Sequence, residues 1–511
     1  MTDNEPTTVD HWLDGKAWPG ASFRTSPVFN PATGTVTREV RMASAADVDA
    51  IVVSATAAAG EWRRTSLTKR VQVLFAFREL VALHQADLAR LITAEHGKVF
   101  SDAMGEVGRG LEVADFACGI PHLLKGGYSE GVSTGVDVYS IRQPVGVVAG
   151  ITPFNFPAMV PMWMFPVAIA CGNAFILKPS ERDPSASMLL AELWQRAGLP
   201  DGVFSVVHGD KVAVDAILHH PDIAGVSFVG STPIARYVYE TAAQAGKRVQ
   251  ALGGAKNHMI VLPDADLDAA ADAAVSAGYG SAGERCMAIS VVVAVDPIGD
   301  DLVGRIVGRI DGLKIADGAD PDTDMGPVIT AAHRDKIAGY IAAGAAAGAT
   351  VVADGRDLVV DDRPDGFFIG PTLLDHVSTD MTVYTDEIFG PVLTVVRVGS
   401  YDEAVRLVNE NAYGNGVALF TRDGGSARRF QFEVEAGMVG INVPIPVPMA
   451  YYSFGGWNQS LFGDTHMHGT EGVHFYTRGK VITSRWPNAV TDMPATGAPS
   501  ARPDLGFPTN V

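Results

Sequence analysis

The feature that most constrains the fold of this 511-residue chain is a regular alternation of short apolar runs with segments of helical periodicity. Runs such as VGVVAGI (145–151) and AGVSFVG (224–230) are continuous and rich in β-branched residues, which is typical of strands buried on both faces. Between such runs lie longer segments such as 184–198, whose apolar residues recur at helical spacing. A strand–helix–strand order makes neighbouring strands parallel and covers their sheet with helices. The sequence therefore predicts an α/β fold.

The alternation falls into two series, which we interpret as two parallel-sheet α/β domains. The first series predicts strands at 145–151, 173–179, 202–208, 224–230 and 247–252, and helices at 184–198, at 212–219 and from residue 232. The second begins near Gly253 and predicts strands at 258–262, 289–295 and 391–398, and helices from 267, from 302, over 331–348 and over 401–411. Two further segments, 134–143 and 473–486, alternate in polarity like strands with one solvated face. Because an unpaired sheet edge is a liability, we expect these two to pair with another subunit.

Composition and charge exclude several classes of protein. The net charge of −19 argues against nonspecific nucleic-acid binding and against docking on an anionic membrane. No uncharged apolar run reaches transmembrane length, and the polar, acidic N-terminus lacks a secretory or transit signal. Three cysteines without C-x-x-C spacing form neither a disulfide framework nor a zinc site, which suits a reducing cytoplasm. His466 and His468 have no supporting ligand cluster, so no metal is expected.

A candidate nucleophile, Cys286, lies in the segment GYGSAGERCMAIS. Small residues before it leave the sulfur approachable, and we expect Gly280 and Gly283 to permit the backbone bends that aim it into a cleft. Arg285 precedes the cysteine directly, and a nearby cation favours the nucleophilic thiolate. The alternative is a buried, inert structural cysteine.

Two polar segments directly follow predicted strands. In TPFNFP (152–157), Asn155 offers an amide donor of the kind that stabilises an oxyanion, although an asparagine in a proline-rich turn is the simpler explanation. In LKPSER (177–182), Lys178 and Glu181 are suited to grip a diol, the lysine donating and the glutamate accepting. Alternatively they form a solvated helix start.

Two more segments complete the set of candidates. FVGSTP (228–233) runs from a strand into a helix, so its amides are suited to hold a phosphate unless it is an ordinary capped helix. EIFGP (387–391) puts Glu387 and Phe389 in a turn before a strand, or in a plain loop. The usual nucleotide fingerprints, G-x-G-x-x-G and G-x-x-x-x-G-K-[ST], are missing, as is the G-x-S-x-G elbow.

Taken together and in order, PFNFP, KPSE, FVGS, LGG, GERC and EIFGP resemble the aldehyde dehydrogenase superfamily over nearly the whole chain. The resemblance implies that Cys286 is the nucleophile and that Asn155 helps to bind the oxyanion. It implies NAD bound on a variant Rossmann domain without the glycine fingerprint. The residues that it assigns to cofactor binding are Thr152, Phe154, Lys178, Glu181, Arg182, Ser231, Gly253 and Glu387.

The same resemblance assigns the domains. Residues 1–127 and 145–252 would form the NAD-binding domain, and 253–472 the catalytic domain. Residues 128–144 and 473–490 would form an oligomerisation segment of a homotetramer, followed by a loosely ordered tail at 491–511.

One departure from the family's motifs indicates which subfamily the chain resembles. Hydrolytic members carry a glutamate before LGG as the base that activates water, whereas this chain has Ala251 there, in QALGGAKNH. Further segments, among them EVGRGLE, PIPVP and FYTRGKVITSRWP, are similar to the CoA-acylating methylmalonate-semialdehyde dehydrogenases. That subfamily's carboxylate-binding arginines match Arg109 and Arg285, although Arg109 on a solvated helix and Arg285 only tuning Cys286 is the simpler alternative.

The resemblance thus implies an NAD-dependent oxidation and decarboxylation of methylmalonate or malonate semialdehyde to propanoyl-CoA or acetyl-CoA. Two alternatives stay open, a hydrolytic NAD(P)-dependent aldehyde dehydrogenase and a noncatalytic binding or structural protein on the same fold. The sequence leaves open whether the pathway is valine or myo-inositol breakdown, and it identifies no CoA-binding segment.

Overall fold

The computed structural model describes residues 7–486. Its strands are β1 (Thr7–Val9), β2 (His11–Leu13), β3 (Lys16–Trp18), β4 (Thr25–Asn30), β5 (Thr35–Arg41), β6 (Tyr128–Ser133), β7 (Val136–Pro144), β8 (Val147–Ile151), β9 (Ala174–Lys178), β10 (Phe204–Val206), β11 (Ile223–Val229), β12 (Arg248–Leu252), β13 (Asn257–Val261), β14 (Ile289–Val295), β15 (Thr350–Ala353), β16 (Thr372–Asp375), β17 (Val392–Val398), β18 (Tyr413–Gly414), β19 (Gly416–Phe420), β20 (Met438–Ile441), β21 (Trp457–Asn458), β22 (Leu461–Phe462) and β23 (Thr477–Arg485).

Its helices are α1 (Ala45–Trp62), α2 (Leu67–Leu83), α3 (Gln85–His96), α4 (Phe100–Cys118), α5 (Met159–Ala170), α6 (Ser185–Arg196), α7 (Lys211–His219), α8 (Thr232–Gln244), α9 (Leu267–Tyr279), α10 (Gly299–Ile310), α11 (Ala331–Ala346), α12 (Thr382–Thr385), α13 (Tyr401–Asn409), α14 (Gly424–Glu433) and α15 (Gly469–Phe475).

The first large sheet has the strand order β22-β12-β11-β8-β9-β10-β2-β3. Its five central strands, β12 to β10 in that order, are parallel, and the strands at both edges are antiparallel. These central strands are buried and rich in Val, Ile, Leu and Ala, as expected for strands covered by helices on both faces. Because they are parallel, the loops at 152–157, 179–184 and 230–231 and the LGG segment all leave the sheet at the same edge, where α/β proteins place their sites.

The second large sheet has the order β15-β16-β17-β14-β13-β19-β20, and all of its strands except the edge strand β15 run parallel. The α/β fold predicted from the sequence is confirmed. The chain returns once from the second half to the first sheet, because β22 pairs with β12 and aligns Phe462 with Ala251. The domain boundaries given above stay a prediction.

The two amphipathic segments form a separate antiparallel sheet of order β23-β7-β6. The segment 134–143 is a strand as predicted, but the strand predicted over 473–486 begins only at Thr477. Val473, His474 and Phe475 instead finish α15, with Val473 and Phe475 buried in the core. Val473 and Phe475 are buried as part of a helix, although the alternation of polar and apolar residues in the sequence predicts a strand there. Residues 487–490 of the predicted segment and the tail at 491–511 lie outside the described residues.

The helix α5 was not predicted, although it lies next to the site. All of its residues are buried, so it lacks the polar face that marks a helix in a sequence. No helix within residues 7–486 is long and apolar enough to cross a membrane.

Candidate active site

Cys286 follows a tightly wound turn between α9 and β14. Three consecutive residues of that turn, Ser281, Ala282 and Gly283, adopt positive φ angles of 54°, 51° and 72°. Non-glycine residues rarely adopt this left-handed conformation, and strained backbone of this kind clusters at functional sites. Gly283 therefore bends the chain as predicted. The prediction for Gly280 is wrong, because its φ is −53°; there the Arg285 guanidinium packs where a Cβ would lie.

The backbone of the cysteine is held by two amide side chains. Asn257 Nδ2 donates to the carbonyl of Cys286 at 2.9 Å and to that of Ala288 at 2.9 Å. Asn415 Nδ2 donates to the same Cys286 carbonyl at 3.1 Å. Both asparagines are buried, so the turn that carries Cys286 is held by neutral donors.

Cys286 is partly exposed as a residue and lines one cavity together with Arg285, Asn257 and Glu387. Burial, and after it the nearby Glu387 carboxylate, raises the pKa of the Cys286 thiol to about 12. The charged side chain that lowers this pKa is Lys98. Arg285, to which the sequence analysis gave that role, is paired instead with Asp102, its Nη2 donating to Asp102 Oδ2 at 2.6 Å.

The oxyanion candidate Asn155 is buried in the loop that follows β8. Its backbone carbonyl accepts a hydrogen bond of 2.6 Å from Lys98 Nζ. That ammonium also pairs with Glu106 Oε2 at 2.8 Å and lies 4.4 Å from the centre of the Phe156 ring. The contact uses the backbone of Asn155 and leaves its side-chain amide for another partner.

The ring of Phe154, in TPFNFP, contacts residues of two other predicted motifs. It packs edge-on against Phe389 of EIFGP, with ring centres 5.9 Å apart. The Arg182 guanidinium of LKPSER lies 5.3 Å from its centre, and the His96 ring lies 5.9 Å away. Phe389 has a φ of 60°, so its loop is held in an uncommon conformation where it reaches this ring.

Lys178 and Glu181 face each other at the end of β9. Lys178 Nζ lies 3.4 Å from Glu181 Oε2, and the lysine is largely buried while the glutamate is more exposed. Thr152 is also buried at this edge, and its hydroxyl has no hydrogen-bond partner among the described residues. A buried polar atom without a partner is costly, so this edge fits a polar ligand such as a nucleotide ribose.

The segment predicted to hold a phosphate does lead from β11 directly into α8. Ser231 is the N-cap of that helix, yet its side chain makes no capping hydrogen bond. The neighbouring LGG segment is fixed through its own amides. The Gly254 amide donates to the Thr232 hydroxyl at 2.8 Å, and the Gly253 amide donates to the Ser460 carbonyl at 3.0 Å.

Glu387 lies beside the LGG segment. Its Oε1 accepts from the Ala255 amide at 3.0 Å, and a Cβ on Gly254 would overlap the carboxylate, so a larger residue there would displace it. Burial raises the pKa of Glu387 to about 7, partly offset by the Ala255 hydrogen bond and by Lys256. Lys256 itself donates to the carbonyl of Asp386 at 2.7 Å and so holds the turn that carries Glu387.

The two predicted substrate arginines are both tied to α4, one as a residue of that helix and the other through an ion pair with it. Arg109 lies on that helix, where its Nη1 pairs with Glu112 Oε2 at 2.7 Å and its Nη2 donates to the Pro448 carbonyl at 2.7 Å. Arg285 reaches the same helix through Asp102. Both guanidiniums are partly exposed, so each keeps donors for a further carboxylate.

Sequence reasoning missed the residues that hold the site together, namely Lys98, Glu106, Asn257 and Asn415. Two of them lie in segments quoted above, Glu106 in EVGRGLE and Asn257 in QALGGAKNH. Lys98 and Asn415 stand in no such segment, and their partners are far away in the chain.

Comparisons with known proteins identify the family of this chain. The model described as "Aldehyde dehydrogenase family" matches residues 18–482. The chain belongs to the aldehyde dehydrogenase family. The resemblance inferred from the six motifs is thereby confirmed.

Similar proteins of this family span almost the whole chain. A malonate-semialdehyde dehydrogenase of Pseudomonas aeruginosa is 54% identical over 481 residues, covering 94% of this chain and 97% of its own. The crystal structure of a methylmalonate-semialdehyde dehydrogenase from Oceanimonas doudoroffii has a TM-score of 0.93 at 54% identity, covering 94% and 99%. A Sinorhizobium meliloti protein solved in complex with NAD has a TM-score of 0.95 at 55% identity, covering 96% and 100%.

Proposed function

We propose that this aldehyde dehydrogenase oxidises and decarboxylates malonate semialdehyde or methylmalonate semialdehyde with NAD, and transfers the acyl group to coenzyme A. The observation that carries the proposal is the surroundings of Cys286: a strained turn precedes it, Glu387 lines the same cavity, and Lys98, which binds the carbonyl of Asn155, lowers the pKa of its thiol. The names of the similar proteins support the substrate class. The NAD complex of the Sinorhizobium meliloti protein supports the cofactor.

The residues at the sheet edge fit NAD. Lys178 and Glu181 would hold the adenosine ribose, with the unpartnered Thr152 hydroxyl, Phe154 and Arg182 beside them. The start of α8 at Ser231, with Gly253, would receive the pyrophosphate, because helix N-termini favour anions. Glu387 would bind the nicotinamide ribose. When bound, NAD accepts the hydride that leaves the aldehyde carbon.

The chain supplies the covalent chemistry. The Cys286 sulfur, as thiolate, bonds to the aldehyde carbon, and the carbonyl oxygen takes the electron pair of the broken π bond. The Asn155 amide and the Cys286 N–H donate to that oxyanion. When the oxyanion collapses, the carbon loses hydride and an acyl thioester on Cys286 remains.

Arg109 and Arg285 would hold the substrate carboxylate, since guanidinium forks match carboxylates. Loss of carbon dioxide from the β-carboxylate leaves a carbanion that the thioester carbonyl delocalises, and a proton then restores the acyl group. The thiolate of coenzyme A attacks the thioester carbon and releases Cys286. The product is propanoyl-CoA from methylmalonate semialdehyde and acetyl-CoA from malonate semialdehyde.

The choice of coenzyme A over water rests on Ala251. This residue is fully buried in β12, where it has no group to take a proton from water. A positioned base contributes about 10²–10⁴-fold to such a step, whereas a thiol needs less help because its thiolate is already a good nucleophile. The acyl-enzyme should therefore wait for coenzyme A.

Rapid mixing tests this proposal. Without coenzyme A, malonate semialdehyde and NAD should give a burst of NADH of about one equivalent per site and then a slow phase, because thioester release lags. Adding coenzyme A should restore fast turnover and yield acetyl-CoA. Fast, steady turnover to a free acid without coenzyme A would overturn it.

One observation favours the hydrolytic alternative. Glu387 lines the same cavity as Cys286 and has a pKa raised to about 7, so it is the carboxyl group placed to act as a base on water. If the burst is absent, Glu387→Gln should slow product release, and that result would establish the hydrolytic route.

We also propose a cytoplasmic homotetramer. The three cysteines are all free, which suits a reducing compartment. The antiparallel sheet of β6, β7 and β23 exposes Tyr128, Val132 and Val481, which a second copy of the chain would cover. Size-exclusion chromatography with light scattering tests the assembly. Whether valine or myo-inositol breakdown supplies the substrate is left open.

A further inference from the structure

We propose that Lys98, held by Glu106, is a positioning residue of the oxyanion site: it fixes the backbone of Asn155 and thereby the direction of the Asn155 amide. The proposal rests on the proposed function, because it assumes that this amide binds the oxyanion. It follows from three sets of contacts in the region between α3, α4 and α5.

The first set concerns the lysine. Only 1% of Lys98 is exposed, yet its ammonium has three partners: Glu106 Oε2 at 2.8 Å, the Asn155 carbonyl at 2.6 Å and the Phe156 ring at 4.4 Å. A buried ammonium is costly unless it is paired and hydrogen-bonded, and here both conditions are met. Two of its three partners belong to the loop that carries the oxyanion amide.

The second set concerns the glutamate. Its other oxygen, Glu106 Oε1, accepts from the amides of Ala158 at 2.9 Å and Met159 at 3.2 Å. These are the first amides of α5, which have no acceptor within the helix, and a carboxylate is favoured at the positive end of the helix dipole. Glu106 thus fixes the end of the Asn155 loop where it enters α5, while Lys98 fixes its middle.

The third set shows that one helix serves both catalytic loops. Asp102 and Glu106 are four residues apart on α4 and lie on the same face. Asp102 binds Arg285, next to the nucleophile, and Glu106 holds the Asn155 loop through Lys98. The rigid helix therefore sets the distance between the nucleophile and the oxyanion donor, and an error of 1 Å in such a distance can cost about 10²-fold in rate.

Removing the lysine alone would leave Glu106 as an unpaired buried charge, which endangers folding. The test is therefore a double variant, Lys98→Met with Glu106→Gln, which removes both charges together and is called the neutral pair. Its glutamine keeps an oxygen for the α5 amides. Lys98→Arg tests whether another cation that can reach the Asn155 carbonyl keeps part of the burst rate.

Lys247→Met is the matched control. Lys247 is also buried and donates to two backbone carbonyls, those of Ile223 (2.8 Å) and His220. It directly precedes β12, however, and so lies where the parallel strands begin, opposite to the loops of the site. Loss of its bonds should lower the melting temperature and leave the NADH burst rate near that of the wild type.

We expect the neutral pair to slow the NADH burst about 10- to 100-fold with unchanged NAD affinity, and Lys98→Arg to recover part of that rate. The Asn155→Ala variant should itself be slowed about 10²–10³-fold. Adding the neutral pair to it should slow the burst little further, because the pair acts through Asn155.

A burst rate in the neutral pair equal to that of the wild type would overturn the proposal. Losses that multiply in the Asn155→Ala background would overturn it too, since Lys98 would then act independently of Asn155. The absence of a burst in the wild type would instead refute the proposed function.

Discussion

The two loops that carry the proposed reacting groups are held in place by different kinds of interaction. The loop of Asn155 is tied by a buried ion pair, with Lys98 on its carbonyl and Glu106 at its end. The turn of Cys286 is tied by the neutral amides of Asn257 and Asn415 on its carbonyl. Both ties reach the backbone and leave the reacting side chain unoccupied.

The difference lies in what holds each backbone. At the Asn155 loop the charge of Lys98 is balanced by Glu106, so the pair fixes the loop and leaves binding of the proposed oxyanion to the Asn155 amide. Neutral amides below the cysteine fix its position without changing its charge state. Titration of the thiol is left chiefly to burial and to Glu387, so position and ionisation of the nucleophile are controlled by separate groups.

The largest effect that sharpens this comparison is loss of the nucleophile itself. Cys286→Ala should abolish NADH formation, because both other cysteines are buried, while NAD affinity and the melting temperature persist. Cys118→Ala is the control and should keep most of the activity. Substantial turnover in Cys286→Ala would show that the chemistry is not covalent.

The next effect concerns α4, the helix on which both loops depend. A charge-assisted hydrogen bond is worth about 1.5–3 kcal/mol, so Arg109→Leu should lower kcat/KM for malonate semialdehyde roughly tenfold or more. Uncharged propanal, which has no carboxylate to hold, should lose much less. Equal losses on the two substrates would mean that Arg109 acts only through its structural contacts with Glu112 and Pro448.

A smaller effect separates the position of the thiol from its ionisation. Asn257→Leu removes the donor to the Cys286 carbonyl without adding a charge, and it also removes the Oδ1 that accepts from the Gly416 amide at 3.1 Å. We expect a burst rate about tenfold lower, since the turn is less well fixed. Asn415→Leu should cost less, because Asn257 still donates to the carbonyl. If Asn415→Leu costs as much as Asn257→Leu, Asn257 is not the main support of the turn.

The smallest effect is on the pH dependence of thiol reactivity. Ionised Glu387 raises the pKa of Cys286, so Glu387→Gln should lower that pKa and increase the thiolate fraction at a given pH. The gain should appear above about pH 7, where Glu387 is ionised, and vanish below it. Iodoacetamide alkylation of the free enzyme as a function of pH measures this. Slower alkylation of the variant at a pH above that value would contradict the assignment.

Much of the fold could be predicted because its strands are uniform. ISVVVAV is a strand over its whole length in the structure, and α8 begins at the predicted Thr232. Prediction failed where tertiary packing decides: α5 has no polar face, and the start of β23 is set by how Val473 and Phe475 pack.

The candidate site divides in the same way. Residues whose chemistry is local, such as the Cys286 turn and the Lys178–Glu181 pair, stand in short motifs. The residues that position them do not, because Lys98 lies 57 residues from Asn155 and Asn415 lies 129 residues from Cys286. No local pattern encodes such a contact.

The pairing of β12 with β22 bears on how such an enzyme could evolve. Ala251 is aligned with Phe228 on one side and with Phe462 on the other, within a largely buried apolar cluster. A glutamate introduced there by a few base changes would lie among aromatic rings, where the uncharged acid is favoured and proton abstraction is weak. A lineage under selection to release free acid would have to replace neighbours on two strands before the new carboxylate became useful. Under the proposed function, transfer to a thiol acceptor is therefore hard to reverse by single substitutions.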